Sequence, residues 1–217
     1  MRFVKIAMLI MFFGLCTFVS LQAATSVNIS VSARLETLSP DMSVTIKELT
    51  QPNQDPWSGA TVSTMDFGTL THLLSNGQEA GVWYSPTYFC VFIFAYANSY
   101  KYEVRSTCSG LTSGSNTLPA GSFMLFPTYS SGDKWNPSDS TGQGTLSGSF
   151  GTYSPAVATN KLIYQSENSA SPKSAILRAF YSIPNTAPSG STGWQAIPLN
   201  QPGGVYTGTV TITIAAY

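Results

Sequence analysis

The sequence predicts an all-β chain, an antiparallel β-sandwich of about seven to nine strands. Three observations lead there. Short runs alternate apolar and polar residues with a period of two, the signature of half-buried strands. Glycine and proline, 18 and 13 residues, cut the chain at short intervals. Only 9% of residues are charged while 43% are hydrophobic, with Ser and Thr abundant, a mix poor in helix formers. No useful 3.6-residue periodicity and no internal repeat appear after residue 24.

Residues 1–24 read as a secretory signal peptide. Arg2 and Lys5 form a basic start, and Ile6 to Val19 is an apolar run short for a bilayer span. Leu21-Gln22-Ala23 supplies small residues for cleavage. An uncleaved anchor is the competing reading, and Cys16 follows Leu15, which argues against a lipoprotein signal. Of ten basic residues, export removes Arg2 and Lys5, leaving eight against ten acidic. That balance offers no basic surface for nucleic acid or an anionic membrane, and no stable membrane insertion is expected after cleavage. The remaining 25–217 reads as a single domain.

The strands follow in order. Val27, Ile29, Val31, Ala33 and Leu35 alternate with polar residues within 25–36. Asp41 to Lys47 alternates again, and 51–60 (QPNQDPWSGA) is a loop. Met65 to Leu70 is a short strand entry with a glycine kink. Tyr88 to Tyr96 and Tyr100 to Cys108 read as a hairpin turning at Asn98-Ser99. That hairpin puts Cys90 and Cys108 opposite each other, so an exported chain is expected to join them in a disulfide. Ser122 to Phe126 is a strand closed by Pro127, and Thr128 to Ser154 reads as long surface loops. Lys161 to Tyr164 and Ala175 to Ile183 are two further strands. The clearest strand is the last. Gly203-Gly204 turns into a run with Tyr206, Val210, Ile212 and Ile214 on one face and Thr207, Thr209, Thr211 and Thr213 on the other. The terminal carboxylate after Tyr217 is expected at the sheet's edge.

Candidate chemistry is sparse. His72 is the single histidine, so any Ser-His-Asp arrangement must use it, and beside Leu73-Leu74 it reads as structural. Asp41, Asp55, Asp133 and Asp139 look like separate loop residues rather than a glycosidase pair. Asp133 to Asp139 lacks the glycine and spacing of a calcium loop. Trp57, Trp83, Trp135 and Trp194 fit either a sugar-binding face or the core. No cofactor, no metal and no enzymatic activity are expected.

Two segments carry a resemblance. Met65-Asp66-Phe67-Gly68-Thr69-Leu70 resembles the (Leu/Met)-x-Phe-Gly segment of the spore coat protein U and archaic chaperone–usher pilin family. Pro202-Gly203-Gly204-Val205-Tyr206-Thr207-Gly208-Thr209-Val210-Thr211-Ile212-Thr213-Ile214 is similar to that family's terminal Pro-x-Gly-x-Tyr-x-(Asp/Gly)-Thr-Val-Thr-Val strand. A signal peptide followed at once by an alternating strand is similar too. The chain departs from the pattern in having no cysteine after its first strand and extra Ser/Gly loops. The resemblance implies an incomplete immunoglobulin-like sandwich, completed by a partner's strand through donor-strand complementation. It implies a subunit of a pilus or cell-surface fibre, a homopolymer of like subunits, with a periplasmic chaperone and outer-membrane usher as assembly partners. Val27, Ile29, Val31, Ala33 and Leu35 would then be the donated side chains. Tyr206, Val210, Ile212, Ile214 and Tyr217 would form the strand of the acceptor groove that the chaperone also covers. The alternatives are a monomeric surface binding module, for instance for carbohydrate, and a secreted hydrolase.

Overall fold

The computed structural model describes residues 40–52, 54–73, 81–97, 101–129, 144–146, 151–166 and 173–216. The predicted signal peptide and donor strand, the Asn98-Ser99 turn, Trp135, Asp133, Asp139 and Tyr217 lie outside the described residues. All that follows concerns one compact unit, Thr37–Tyr217.

The chain is nearly all β, and among the described residues every strand pair is antiparallel. In order come β1 (Asp41–Leu49), β2 (Ala60–Val62), β3 (Thr71–Leu73), β4 (Val82–Tyr84) and β5 (Tyr88–Ala97). Then follow β6 (Tyr102–Cys108), β7 (Thr112–Ser113), β8 (Asn116–Thr117), β9 (Met124–Thr128) and β10 (Gly144–Leu146). The last are β11 (Ser154–Pro155), β12 (Ala158–Ser166), β13 (Lys173–Ser182), β14 (Ile197–Pro198) and β15 (Val210–Ala216). β1, β5, β6, β9, β12, β13 and β15 run five residues or longer and form the sandwich proper. One sheet has the order β11-β9-β13-β5-β1-β2, the other β10-β12-β6-β15. A three-stranded sheet, β14-β4-β3, and the β7-β8 pair complete the set.

Alternation decides which side chains meet between the sheets. From one side come Phe89, Val91, Ile93 and Ala95 of β5 with Ala175, Leu177, Ala179 and Tyr181 of β13. From the other come Tyr102 and Val104 of β6 with Ile163 of β12. On β6 the intervening Glu103, Arg105 and Thr107 turn outward, as a half-buried strand requires. β5 differs, because its outward residues Cys90 and Phe92 are also fully buried, in a second cluster with Leu49 and Ile176. It is a central strand covered on both faces, and its unbroken apolar run is the sequence trace of that.

This arrangement overturns the predicted disulfide. β5 pairs with β1 and β13, whereas β6 pairs with β12 and β15, so the chain crosses between sheets instead of forming a hairpin. Cys108 points into the inter-sheet core and Cys90 to the far face of the other sheet. The two sulfurs are not bonded. The Met65 to Leu70 strand entry is not found either. That segment is irregular, with Gly68 at φ +64°, a left-handed conformation that suits glycine.

Two outcomes are expected. Alkylation and mass spectrometry of the purified protein should find Cys90 and Cys108 as two thiols that react only after unfolding, whereas a mass lower by two hydrogens would show a bond. Phe89 is fully buried with the Phe67 ring edge-on at 4.9 Å. Phe89→Ala should therefore cost about 3–5 kcal/mol in denaturant melts.

Candidate functional site

β15 is an edge strand. Among the described residues it pairs with β6 alone, from Val210↔Cys108 to Ala216↔Tyr102. That register turns Val210, Ile212 and Ile214 inward, where they pack against the core, yet all three stay half-buried. Thr211 and Thr213 face out and are exposed. The predicted alternation holds, although the strand starts at Val210. Tyr206 lies before it and also packs against the core.

β1 stands across from β15 in the other sheet. Its outer edge is paired by β2 only at Ile46, Lys47 and Glu48, which leaves Asp41 to Thr45 without a neighbour on that side among the described residues. The register Met42↔Ala95, Val44↔Ile93 and Ile46↔Val91 puts Met42, Val44 and Ile46 on the core face. Val44 is nevertheless 47% exposed, although its neighbour Ile93 is fully buried. Ile46 and Val210 line the same open cleft, of about 950 Å³. At the other end the Tyr102 hydroxyl donates to the Ala95 carbonyl across the sheets at 3.5 Å, bringing Ala216 to the Met42 end. β1 and β15 therefore run antiparallel, each contributing a row of apolar side chains that the sandwich does not fully cover.

The wide end of the cleft is built by the two segments that carry the family resemblance. Phe67 closes its floor, edge-on to Phe89 at 4.9 Å and to Phe123 at 5.7 Å. Asp66 Oδ1 accepts from the Gly68 amide at 2.9 Å, and Ser85 Oγ donates to the Phe67 carbonyl at 3.0 Å, so the segment is pinned. On the other wall the Tyr206 hydroxyl donates to the Pro202 carbonyl at 2.6 Å and accepts from Gln201 Nε2 at 2.9 Å. Thr207 and Thr112 exchange two backbone bonds of 2.9 Å. A Cβ on Gly208 would stand 2.2 Å from the Gly110 carbonyl, so only glycine lets the chain pass there.

The seam is apolar and its borders carry little charge. Burial pushes the Tyr102 hydroxyl far up, with Tyr164 adding to it, so neither end of the groove gains an anion from it. On the outer face of β6, Arg105 Nε and Nη2 donate to Glu103 at 2.5 and 2.9 Å. That hydrogen bonding holds the Glu103 carboxyl below its usual range. Its small contribution is present above the ordinary carboxylate range and disappears as pH falls through the lowered value.

The remaining candidates are dispersed. His72 is exposed on β3, its ring edge-on to Trp83 at 5.2 Å. Asp55 caps a short 3-10 turn, Pro56–Ser58, by accepting from the Trp57 amide. Asp41 is exposed at the start of β1. Trp83 packs against the core and donates Nε1 to the Leu199 carbonyl at 3.4 Å, while Trp57 lies on the outer face of the six-stranded sheet, so these two rings share no face. Among the described residues no group of three His, Cys, Asp or Glu is placed to hold a metal. Val27, Ile29, Val31, Ala33, Leu35 and Tyr217 lie outside the described residues. The half-buried row on β1 was missed from sequence, where Asp41 to Lys47 reads as any alternating strand. Comparison with protein-family models, with curated proteins and with solved structures found no match.

Proposed function

We propose that the protein is an exported, non-enzymatic structural subunit of a pilus or other cell-surface fibre, joined to its neighbours by donated strands. The observation that carries this reading is the uncovered seam between β1 and β15. Val44 on one side and Val210, Ile212 and Ile214 on the other face inward, yet water still reaches them. On the side away from β6, where no strand of the described residues pairs with it, β15 offers backbone donors and acceptors beside that seam, the two things an added strand uses.

The alternating segment before β1 has matching dimensions. Val27 to Leu35 counts nine residues, as β1 does, and nine residues docked as an added strand would reach roughly 30 Å at about 3.3 Å per residue. Its five apolar side chains would sit on one face of a docked strand, and burial of a Val, Leu or Ile is worth about 1.5–3 kcal/mol. Coverage of the same groove by a chaperone before assembly, and passage through an outer-membrane usher, follow from the family resemblance. The periplasm is then the transit compartment and the cell surface the destination.

The test separates donor from acceptor. Ile29→Asp should spoil the donor and Ile212→Asp the groove, because an unpartnered carboxylate in an apolar site costs several kcal/mol. Each variant alone should stay monomeric while the wild type forms fibres in negative-stain images. Mixed, they should give a dimer and nothing longer, since only one junction is then intact. Ser30→Asp, on the opposite face, should polymerise. A wild type that stays monomeric, with a melting temperature lowered by deletion of Thr25 to Leu35, would refute the proposal and leave a self-contained binding module.

A further inference from the structure

On the outer face of the six-stranded sheet, away from the seam, the 3-10 turn Pro56–Ser58 holds Trp57 flat against β5. The indole stacks on Phe92 at 4.1 Å and 29°, and Phe92 in turn stacks on Phe94 at 6.2 Å. Phe92 is fully buried beneath it, yet Trp57 itself is 46% exposed. One face of the indole is therefore spent on the protein while the residue remains widely open to solvent.

The turn is fixed before any ligand arrives. Asp55 caps it, Pro56 is buried, and Gln54 Oε1 accepts from the Thr50 amide at 2.9 Å. Lys47 Nζ donates to the Gly59 carbonyl at 3.1 Å, and a Cβ on Gly59 would stand 2.6 Å from the Glu48 carbonyl, so the turn is clamped to β1. A pre-ordered aromatic surface loses little entropy on binding. The register puts Thr45 and Arg178 on either side of Phe92, giving the patch a hydroxyl and a guanidinium at its rim. The Arg178 guanidinium carbon lies 5.4 Å from the Phe92 centroid.

We propose that this platform binds a neutral hexopyranose glycan, the C–H face of one ring stacking on Trp57 and its hydroxyls reaching the polar rim. Area decides against a protein partner. The exposed part of one tryptophan is on the order of 100 Å², the size of one sugar face, whereas a stable protein interface needs roughly 800 Å² per partner. Tyr96 is 38% exposed on the same face of β5, four residues or about 13 Å along the strand from Phe92. An oligosaccharide can touch both rings and a monosaccharide only one. The inference does not rest on the seam, and it holds for a monomer or a fibre subunit alike.

The test is a titration of the secreted chain with β-linked glucose, N-acetylglucosamine and galactose oligosaccharides, followed by the Trp57 indole resonance. A saturable shift with at least one of them is expected, with a dissociation constant of about a millimolar. Trp57→Leu keeps Phe92 covered but removes the flat ring, and should weaken binding at least about tenfold, while Trp57→Phe should retain part of it. Tyr96→Ala should weaken the oligosaccharide and leave the monosaccharide unchanged. No saturable shift with any of the three sugars would overturn the proposal, as would undiminished binding in a folded Trp57→Leu. Self-association of the wild type that Trp57→Leu abolishes would overturn it in favour of a second copy.

Discussion

A strand at the edge of a sheet can satisfy the backbone on one side only, and an inward-facing side chain on it is buried only if something lies beyond. β15 and β1 both meet this constraint at the same side of the sandwich. Their partners β6 and β5 are sealed, with Val104, Ile93 and Tyr102 fully buried. One strand further out, burial falls to half on β15 and to about half at Val44. The core is thus well packed in its centre and thins towards a line of Val, Ile and Met. Edges of this kind invite strand addition, and proteins that keep them must cover or use them. The proposed assembly uses this one.

The cleft at one end of that line, where Ile46 and Val210 meet, has walls that are tied down. Phe67 and Tyr206, from segments far apart in the chain, are tied down by hydrogen bonds to Ser85, Pro202 and Gln201. The tight passage at Gly208 against Gly110 and the Thr207–Thr112 bridge hold the chain entering β15 in place. Rigid walls beside an open seam favour a docked strand, because less order remains to be imposed on binding.

Much of this was legible in the sequence, in proportion to how local its cause is. The alternation of Val210, Ile212 and Ile214 with threonines follows from strand geometry alone, and the strand is there. The all-β class follows from composition and punctuation. The partners of each strand are not local, and there the reading of Cys90 and Cys108 went astray. Two strands separated by Asn98-Ser99 look like a hairpin, but the run Phe89 to Phe94 is apolar on both faces, which marks a strand in the middle of a covered sheet. Here its two neighbours are β1 and β13, and the chain leaves β5 for the other sheet. Trp57 posed a different difficulty. Its loop reads as a turn between prolines, and nothing in residues 51–60 tells that the ring will lie on Phe92 rather than in the core.

The central claim is that the seam accepts a strand carried by this chain. Hydrogen exchange of a chain lacking residues 25–35, with and without a synthetic peptide of residues 25–36, tests it most directly. Without peptide, the alternate amides of Val210 to Ala216 that do not bond to β6 should exchange fast, in line with an open edge. With saturating peptide those amides should become protected and the melting temperature should rise with peptide concentration, since a ligand that binds only the native state stabilises it by mass action. A scrambled peptide that breaks the alternation should do neither. Protection that appears elsewhere, or β15 amides already protected in the shortened chain, would contradict the account.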